Sequence, residues 1–345
     1  WHTALLPLYL KGVYAWDQLF KESKTLLSIH NIGYQGVFRA DTVDDLGLND
    51  VRSFLHQEDL NDGVLNFLKT GLIYADMLST VSKTYASEIQ TSDFGMGLED
   101  MLSERADALI GVVNGVDYDI WSPERDQEIP FHFSADDLGG KEKNKRALMD
   151  YVRLPFDRKA PVFGIVTRMT VQKGLDLMFQ VLPRMLMETD ARLCVLGSGE
   201  ARFEDFFRQL AQEFPTKVAF TTEFNDHLAH LIEAGSDLFL MPSRYEPCGL
   251  NQMYSMKYGT IPIVRKTGGL ADTVELFDDA TGSGTGFVFE NYNSAALKWA
   301  INYALEVWNN RPAWERLMQN AMSRDYSWEH QAEHYVEIYR NLSDR

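Results

Sequence analysis

Residues 242–270 read PSRYEPCGLNQMYSMKYGTIPIVRKTGGL and come directly after the apolar run Leu238-Phe239-Leu240-Met241. The run reads as a strand buried in a parallel sheet, and the chain then turns through Ser243-Arg244-Tyr245-Glu246-Pro247-Cys248-Gly249 into a helical pattern. A carboxylate, Glu246, therefore stands at the carboxyl end of a strand. After one helix a second buried strand, 261–264, ends in Arg265-Lys266-Thr267-Gly268-Gly269-Leu270, a small-residue turn that opens another helix. Backbone N–H groups at such a turn favour an anion. In open α/β sheets ligands lie outside the carboxyl ends of the strands, so these adjacent turns predict a phosphate-bearing ligand between them.

Working outward, buried runs recur at 162–166, 193–196, 218–220, 238–241, 261–264 and 287–289, with helical patterns between them. That alternation predicts a doubly wound parallel sheet. Upstream, residues 1 to about 125 alternate short strands (25–29, 77–81, 108–113) with amphipathic helices, a second α/β layer. Residues 121–141 are rich in turn formers and charge and read as a surface linker, followed by a helix at 142–152. The last stretch, 328–341, spaces Trp328, Ala332, Tyr335, Val336 and Tyr339 along one helical face, predicted to cover the first domain. The expected organisation is 1–125, a partial first domain; 126–152, linker and connecting helix; 153–325, the second domain; and 326–345, a returning helix.

At 345 residues the chain has room for two cores, and 45% hydrophobic with 24% charged is ordinary for a globular protein. A formal net charge of −17 argues against nucleic-acid and anionic-membrane partners, while Arg168, Lys173, Arg265 and Lys266 can still form a local anion site. Two cysteines, Cys194 and Cys248, in apparently buried elements predict a reducing compartment rather than a disulfide scaffold. No run of about 18 apolar residues suggests a membrane helix. No cluster of His, Cys and carboxylates has metal-ligand spacing, and nothing in the pattern sets an oligomeric state.

Individual residues carry the chemistry. Thr167-Arg168-Met169-Thr170-Val171-Gln172-Lys173 puts two cations on one βα loop, as expected where a diphosphate's charge grows while a bond to it breaks. Glu246 reads as a nucleophile, a partner for sugar hydroxyls or a solvated loop acid. Cys248, with no base nearby in sequence, reads as a packed residue whose backbone matters more than its sulfur. His30 and Asn31 follow a strand, with a structural imidazole as the plain alternative for His30. Asn114 closes another strand end, either as a ligand or as a turn residue. Ser82 reads equally as the N-cap of a helix over 85–89 or as a functional group. Gly197-Ser198-Gly199-Glu200 lacks the third glycine of a dinucleotide fingerprint and reads as a tight turn.

Together, Glu246-Pro247-Cys248-Gly249-Leu250-x-Gln252-x-Tyr254-x-x-x-Tyr258-Gly259-Thr260 and Arg265-x-Thr267-Gly268-Gly269-Leu270-Ala271-Asp272 closely resemble the bacterial glycogen synthase and plant starch synthase family. Ile29-His30-Asn31 with Tyr34-Gln35-Gly36, Asn114-Gly115-Val116-Asp117, and Arg168 with Gln172-Lys173-Gly174-Leu175-Asp176 extend the resemblance over nearly the whole chain. It implies a GT-B glycosyltransferase, two Rossmann-like domains facing a cleft, that transfers glucose from ADP-glucose to the non-reducing end of an α-1,4-glucan with retention. The resemblance makes Arg168 and Lys173 the diphosphate clamp and has Glu246 hydrogen-bond the glucose. The backbone at Cys248, Gly249 and Leu250 would help hold that sugar. Thr267, Gly268, Gly269 and Leu270 would cradle phosphate, while His30 and Asn114 would approach the glucose from the other domain. Phe224 occupies the position near the nucleotide base where the family often has Tyr. Tyr254 stands where many other GT-B enzymes carry a second Glu, and it matches this family. No cofactor is implied, and the compartment is the cytoplasm, or the plastid in a plant.

The family's opening Lys-x-Gly-Gly-Leu motif precedes nothing here, since the chain begins at Trp1-His2, so an incomplete first domain and an inactive fragment are expected. The competing readings are a non-catalytic glucan-binding fragment, a related GT-B enzyme using UDP-glucose, a phosphorylase, and a nicotinamide dehydrogenase. The phosphorylase needs a pyridoxal-phosphate lysine motif and the dehydrogenase a full Gly-x-Gly-x-x-Gly turn; neither occurs. For the transfer, attack from the face the nucleotide leaves is favoured over a covalent intermediate on Glu246.

Overall fold

The computed structural model describes residues 1–223 and 225–344, and the chain divides into two compact units, Trp1–Val113 with Gln331–Arg345, and Asn114–His330. Phe224 lies outside the described residues.

In the first unit the strands are β1 (Leu26–Ile29), β2 (Val37–Arg39), β3 (Val64–Asn66), β4 (Met77–Thr80) and β5 (Leu109–Gly111). β1, β4 and β5 form a parallel sheet in that order, with Leu26 opposite Met77 and Leu78 opposite Leu109. β2 and β3 pair antiparallel. β4 is buried along its whole length, as a central parallel strand must be. Ser82, directly after it, accepts a hydrogen bond from the Tyr85 N–H and caps the helix Lys83–Glu88, the capping one of its two readings.

The returning helix Trp328–Ser343 packs by a different face from the expected one. Ile338 and Leu342 join Met77 and Val112 in one cluster, with Tyr335 partly buried against it, while Trp328, Val336 and Tyr339 stay exposed. Gln331, Tyr335, Ile338 and Leu342 follow the i, i+4, i+7, i+11 spacing of a helical stripe. The large aromatic side chains drew the sequence reading one residue round the helix.

The second unit holds β6 (Val162–Val166), β7 (Arg192–Leu196), β8 (Val218–Thr221), β9 (Leu238–Met241), β10 (Ile261–Arg265) and β11 (Phe287–Phe289). All pair parallel in the order β11-β10-β9-β6-β7-β8. The chain runs from β6 outward to β8 and then returns to β9 on the other side. The order therefore reverses between β6 and β9, and their carboxyl ends flank the crevice such a reversal creates.

Residues 121–141 depart from the reading as a surface linker. They lie within the second unit, where Ile129 and Phe133 pack with Ala234, Tyr258 and Met322. Asp126 is also buried, and it accepts from Tyr258 Oη and sits 2.8 Å from Nδ1 of His230. Burial alone would raise the Asp126 carboxyl, but the hydrogen bonds from His230, Tyr258 and the Glu128 N–H hold it below its ordinary range. A turn-rich composition reports missing periodicity, and a segment without periodicity is still packed when its few apolar and acidic side chains meet partners.

Candidate active site

Glu246 reaches its place through the turn after β9. The residue is 5% exposed, and its Oε2 accepts from Lys173 Nζ at 2.7 Å and from Ser243 Oγ at 2.9 Å. No hydrogen bond to Oε1 occurs among the described residues, so one carboxylate oxygen is committed and the other is available. Lys173 comes from the loop after β6, so this ion pair spans the reversal point of the sheet. Arg168 lies on the same loop and is exposed. It lines a cavity of about 250 Å³ at the carboxyl ends of β6, β7 and β8, together with Gly197, Ser198, Thr222 and Asn225. The structure thus gathers Arg168, Lys173 and Glu246 on one edge of one sheet.

The turn after β10 lies against the Glu246 turn. Gly269 N–H donates to the carbonyls of Glu246 at 3.0 Å and Pro247 at 3.2 Å, and Leu270 N–H donates to Thr267 at 3.1 Å. Gly268 has φ +44°, and a Cβ there would lie 1.9 Å from the Glu246 carbonyl oxygen. These glycines are explained by close approach of two backbones. The expected four-residue phosphate cradle is correspondingly narrower, because the Gly269 and Leu270 N–H groups are spent inside the protein. Arg265 and Lys266 also depart from the free-cation reading. The Arg265 guanidinium donates to the carbonyls of Ser243, Arg244 and Glu290, and Lys266 pairs with Glu290 at 2.7 Å.

Cys248 is buried, its thiol is pushed up to about 12 by burial, and the Asn114 backbone N–H lies against its sulfur. That thiol is a packed group, as its sequence context predicts. Asn114 opens the second unit, so it belongs with Cys248 and not with the first domain, to which the resemblance assigned it. His30 is in the first unit, exposed, directly after β1, and the Asn31 side chain accepts from Gly33 N–H at 3.0 Å.

Three residues around the site were not singled out for it by sequence. Ser243 holds Glu246. Gln252, fully buried on the helix Asn251–Lys257, donates to Cys248 O at 3.1 Å, Gly249 O at 3.2 Å and Thr273 Oγ1 at 3.1 Å. Trp121 stacks between Tyr254, with centroids 4.2 Å apart and planes 1° off parallel, and His230 at 3.7 Å and 11°. Tyr254 is thereby one plate of a three-ring stack. The available signals for Gln252 were its place in the quoted motif and a polar residue at a helix position whose neighbours in the pattern, Met253 and Met256, are apolar.

Comparison with known proteins agrees along the whole chain. The starch synthase catalytic domain family matches residues 1–104 and the group 1 glycosyl transferases match residues 151–322. A glycogen synthase of Koribacter versatilis is 47% identical over 340 residues, covering 98% of this chain and 69% of that protein. One from Thermosipho melanesiensis is 45% identical over 348 residues, covering 100% and 72%. The catalytic domain of starch synthase IV from Arabidopsis thaliana, solved bound to ADP and acarbose, superposes with a TM-score of 0.92 at 34% identity, covering 100% of this chain and 72% of that one. Sucrose-phosphate synthase from Thermosynechococcus elongatus, at 19% identity and TM-score 0.58 over 97% and 72% of the two chains, shares the fold.

Proposed function

The chain belongs to the glycogen and starch synthase family of glycosyltransferases, and from that premise we propose that it moves glucose from ADP-glucose to the non-reducing end of an α-1,4-glucan with retention of configuration. The donor reading is supported by the Arabidopsis starch synthase IV domain, which was solved with ADP. The Lys173–Glu246 pair at 2.7 Å carries the chemical part. It puts a cation for the diphosphate beside a carboxylate that keeps one oxygen for a sugar hydroxyl.

In this scheme Arg168 and Lys173 balance the charge that builds on the leaving ADP, a task a divalent cation performs in other transferases. With Gly269 and Leu270 N–H engaged in the protein, most of that charge falls to the two side chains. Glu246 Oε1 accepts from the glucose, and the backbone at Cys248, Gly249 and Leu250 borders the sugar. The leaving phosphate takes the proton of the acceptor hydroxyl as the new bond forms on the same face. No cofactor enters the scheme. Among the described residues no helix is long and apolar enough to cross a membrane. The bacterial glycogen synthase relatives, separately, favour the cytoplasm as the compartment.

The test is incorporation of labelled glucose into glycogen by the full-length gene product, run in parallel with ADP-glucose and UDP-glucose. Incorporation from ADP-glucose that falls by about 10²-fold or more in Arg168→Ala supports the reading. Preference for UDP-glucose removes the donor assignment, and unchanged turnover in Arg168→Ala removes the clamp.

A further inference from the structure

We infer that Gln252 is the positioning residue that orients the peptide groups of the sugar-bordering turn and ties that turn to the helix after β10. This rests on the reading of the Cys248–Leu250 backbone as the border of the donor glucose.

Gln252 Nε2 faces Cys248 O, Gly249 O and Thr273 Oγ1, all within 3.2 Å. Three oxygens around one terminal atom identify it as the amide nitrogen, since only N–H donates to them. Thr273 Oγ1 in turn donates to Gly269 O at 2.7 Å. A continuous hydrogen-bonded path thus runs from the Cys248 and Gly249 carbonyls through Gln252 and Thr273 to Gly269.

Peptide planarity converts this grip into an orientation. In a trans peptide the C=O and the next N–H point in opposite directions. Holding the Cys248 and Gly249 carbonyls toward Gln252 therefore turns the Gly249 and Leu250 N–H groups to the opposite side. Neither N–H has a hydrogen-bond partner among the described residues, so both are left for a ligand oxygen. Gly249 makes the arrangement possible. Its φ is +74°, and a Cβ there would lie 2.5 Å from Gln252 Oε1, so only glycine leaves room for the amide. Gln252 is fully buried and its Oε1 has no partner, so the amide is kept at the cost of an unsatisfied oxygen.

The test uses Gln252→Met in the full-length enzyme, which keeps the volume and removes all three bonds. Binding of ADP and of ADP-glucose is measured alongside turnover, after the unsubstituted enzyme has been assayed with ADP-glucose and UDP-glucose. A wrong donor assignment shows in the unsubstituted enzyme, and the variant is then studied with the preferred donor and its nucleoside diphosphate. The expected result is a loss of at least about tenfold in kcat/KM for the nucleotide sugar, with affinity for the nucleoside diphosphate within about twofold and the acceptor KM unchanged. Equal loss of nucleotide and nucleotide-sugar binding, or turnover within about twofold of normal, overturns the inference. If Gln252→Met does not fold, Thr273→Val severs the path at one point. It is expected to show a smaller loss with the same selectivity, and a loss without selectivity, or none, overturns the inference equally.

Discussion

Lys173 donates from Nζ to Glu246 Oε2 at 2.7 Å, and both side chains are largely withdrawn from solvent, at 17% and 7% exposure. The pair joins the loops after β6 and β9, the two strands between which the sheet order reverses. Removing one partner leaves the other as a partly buried, uncompensated charge. Lys173→Ala is therefore expected to cost about 3 kcal/mol in denaturant titration, beyond its effect on turnover. Lys173→Ala combined with Glu246→Gln should recover part of that loss, since the orphaned carboxylate is gone. A double variant less stable than Lys173→Ala alone would contradict this account.

Gly269 sits so near the Glu246 turn that a Cβ would lie 2.1 Å from Cys248 O. Gly269→Ala therefore forces two main chains apart. We expect destabilisation of about 2–3 kcal/mol with a marked fall in activity, read from the denaturation midpoint and the incorporation assay. An alanine variant of normal stability and activity would show that the turns are not held in contact.

Burial pushes both the Cys194 and Cys248 thiols up to about 12. A raised pKa lowers the thiolate fraction, to about one part in ten thousand near pH 8. Neither cysteine should react with iodoacetamide in the native protein, and both should react in denaturant. Rapid native labelling of Cys248, located by peptide mapping, would refute the packed-thiol assignment.

Glu233, fully buried beside Ser255 and Asn251, is pushed up to about 8, chiefly by burial. A carboxyl with a raised folded-state pKa contributes stability that is complete below its unfolded value and is lost as pH rises through about 8. Lys141, pulled down to about 7 by burial, acts in the opposite sense, its contribution being lost as pH falls from the alkaline side through that value. Between about pH 5 and 6.5 the carboxyl dominates. There the stability of the unsubstituted protein relative to Glu233→Gln should decline as pH rises, and parallel pH curves would exclude this.

Much of this was open to inspection in the sequence because strands buried on both faces leave unbroken apolar runs. All six strands of the second unit appear at their expected places, three of them with the expected bounds. Arg168, Lys173 and Glu246 stood out because all three lie on loops at the carboxyl ends of strands of one sheet, where ligands of open α/β sheets lie. Hydrogen-bond direction was not, since it depends on partners far along the chain. Thr267 to Leu270 looked like an anion cradle because an unpaired N–H and one that meets another turn's carbonyl have the same sequence. Gln252 stood in the quoted motif without an assigned role, and Trp121 looked like part of a linker, for the same reason.

Periodicity and residue type alone therefore determined the parallel sheet, its order of strands and helices along the chain, and the charged residues at the strand ends. Tertiary structure alone decided which N–H groups remain available, which carboxylate oxygen is already taken, and which face of the last helix is covered. Local pattern records what a residue prefers, whereas these outcomes depend on which distant carbonyl or side chain arrives within about 3 Å.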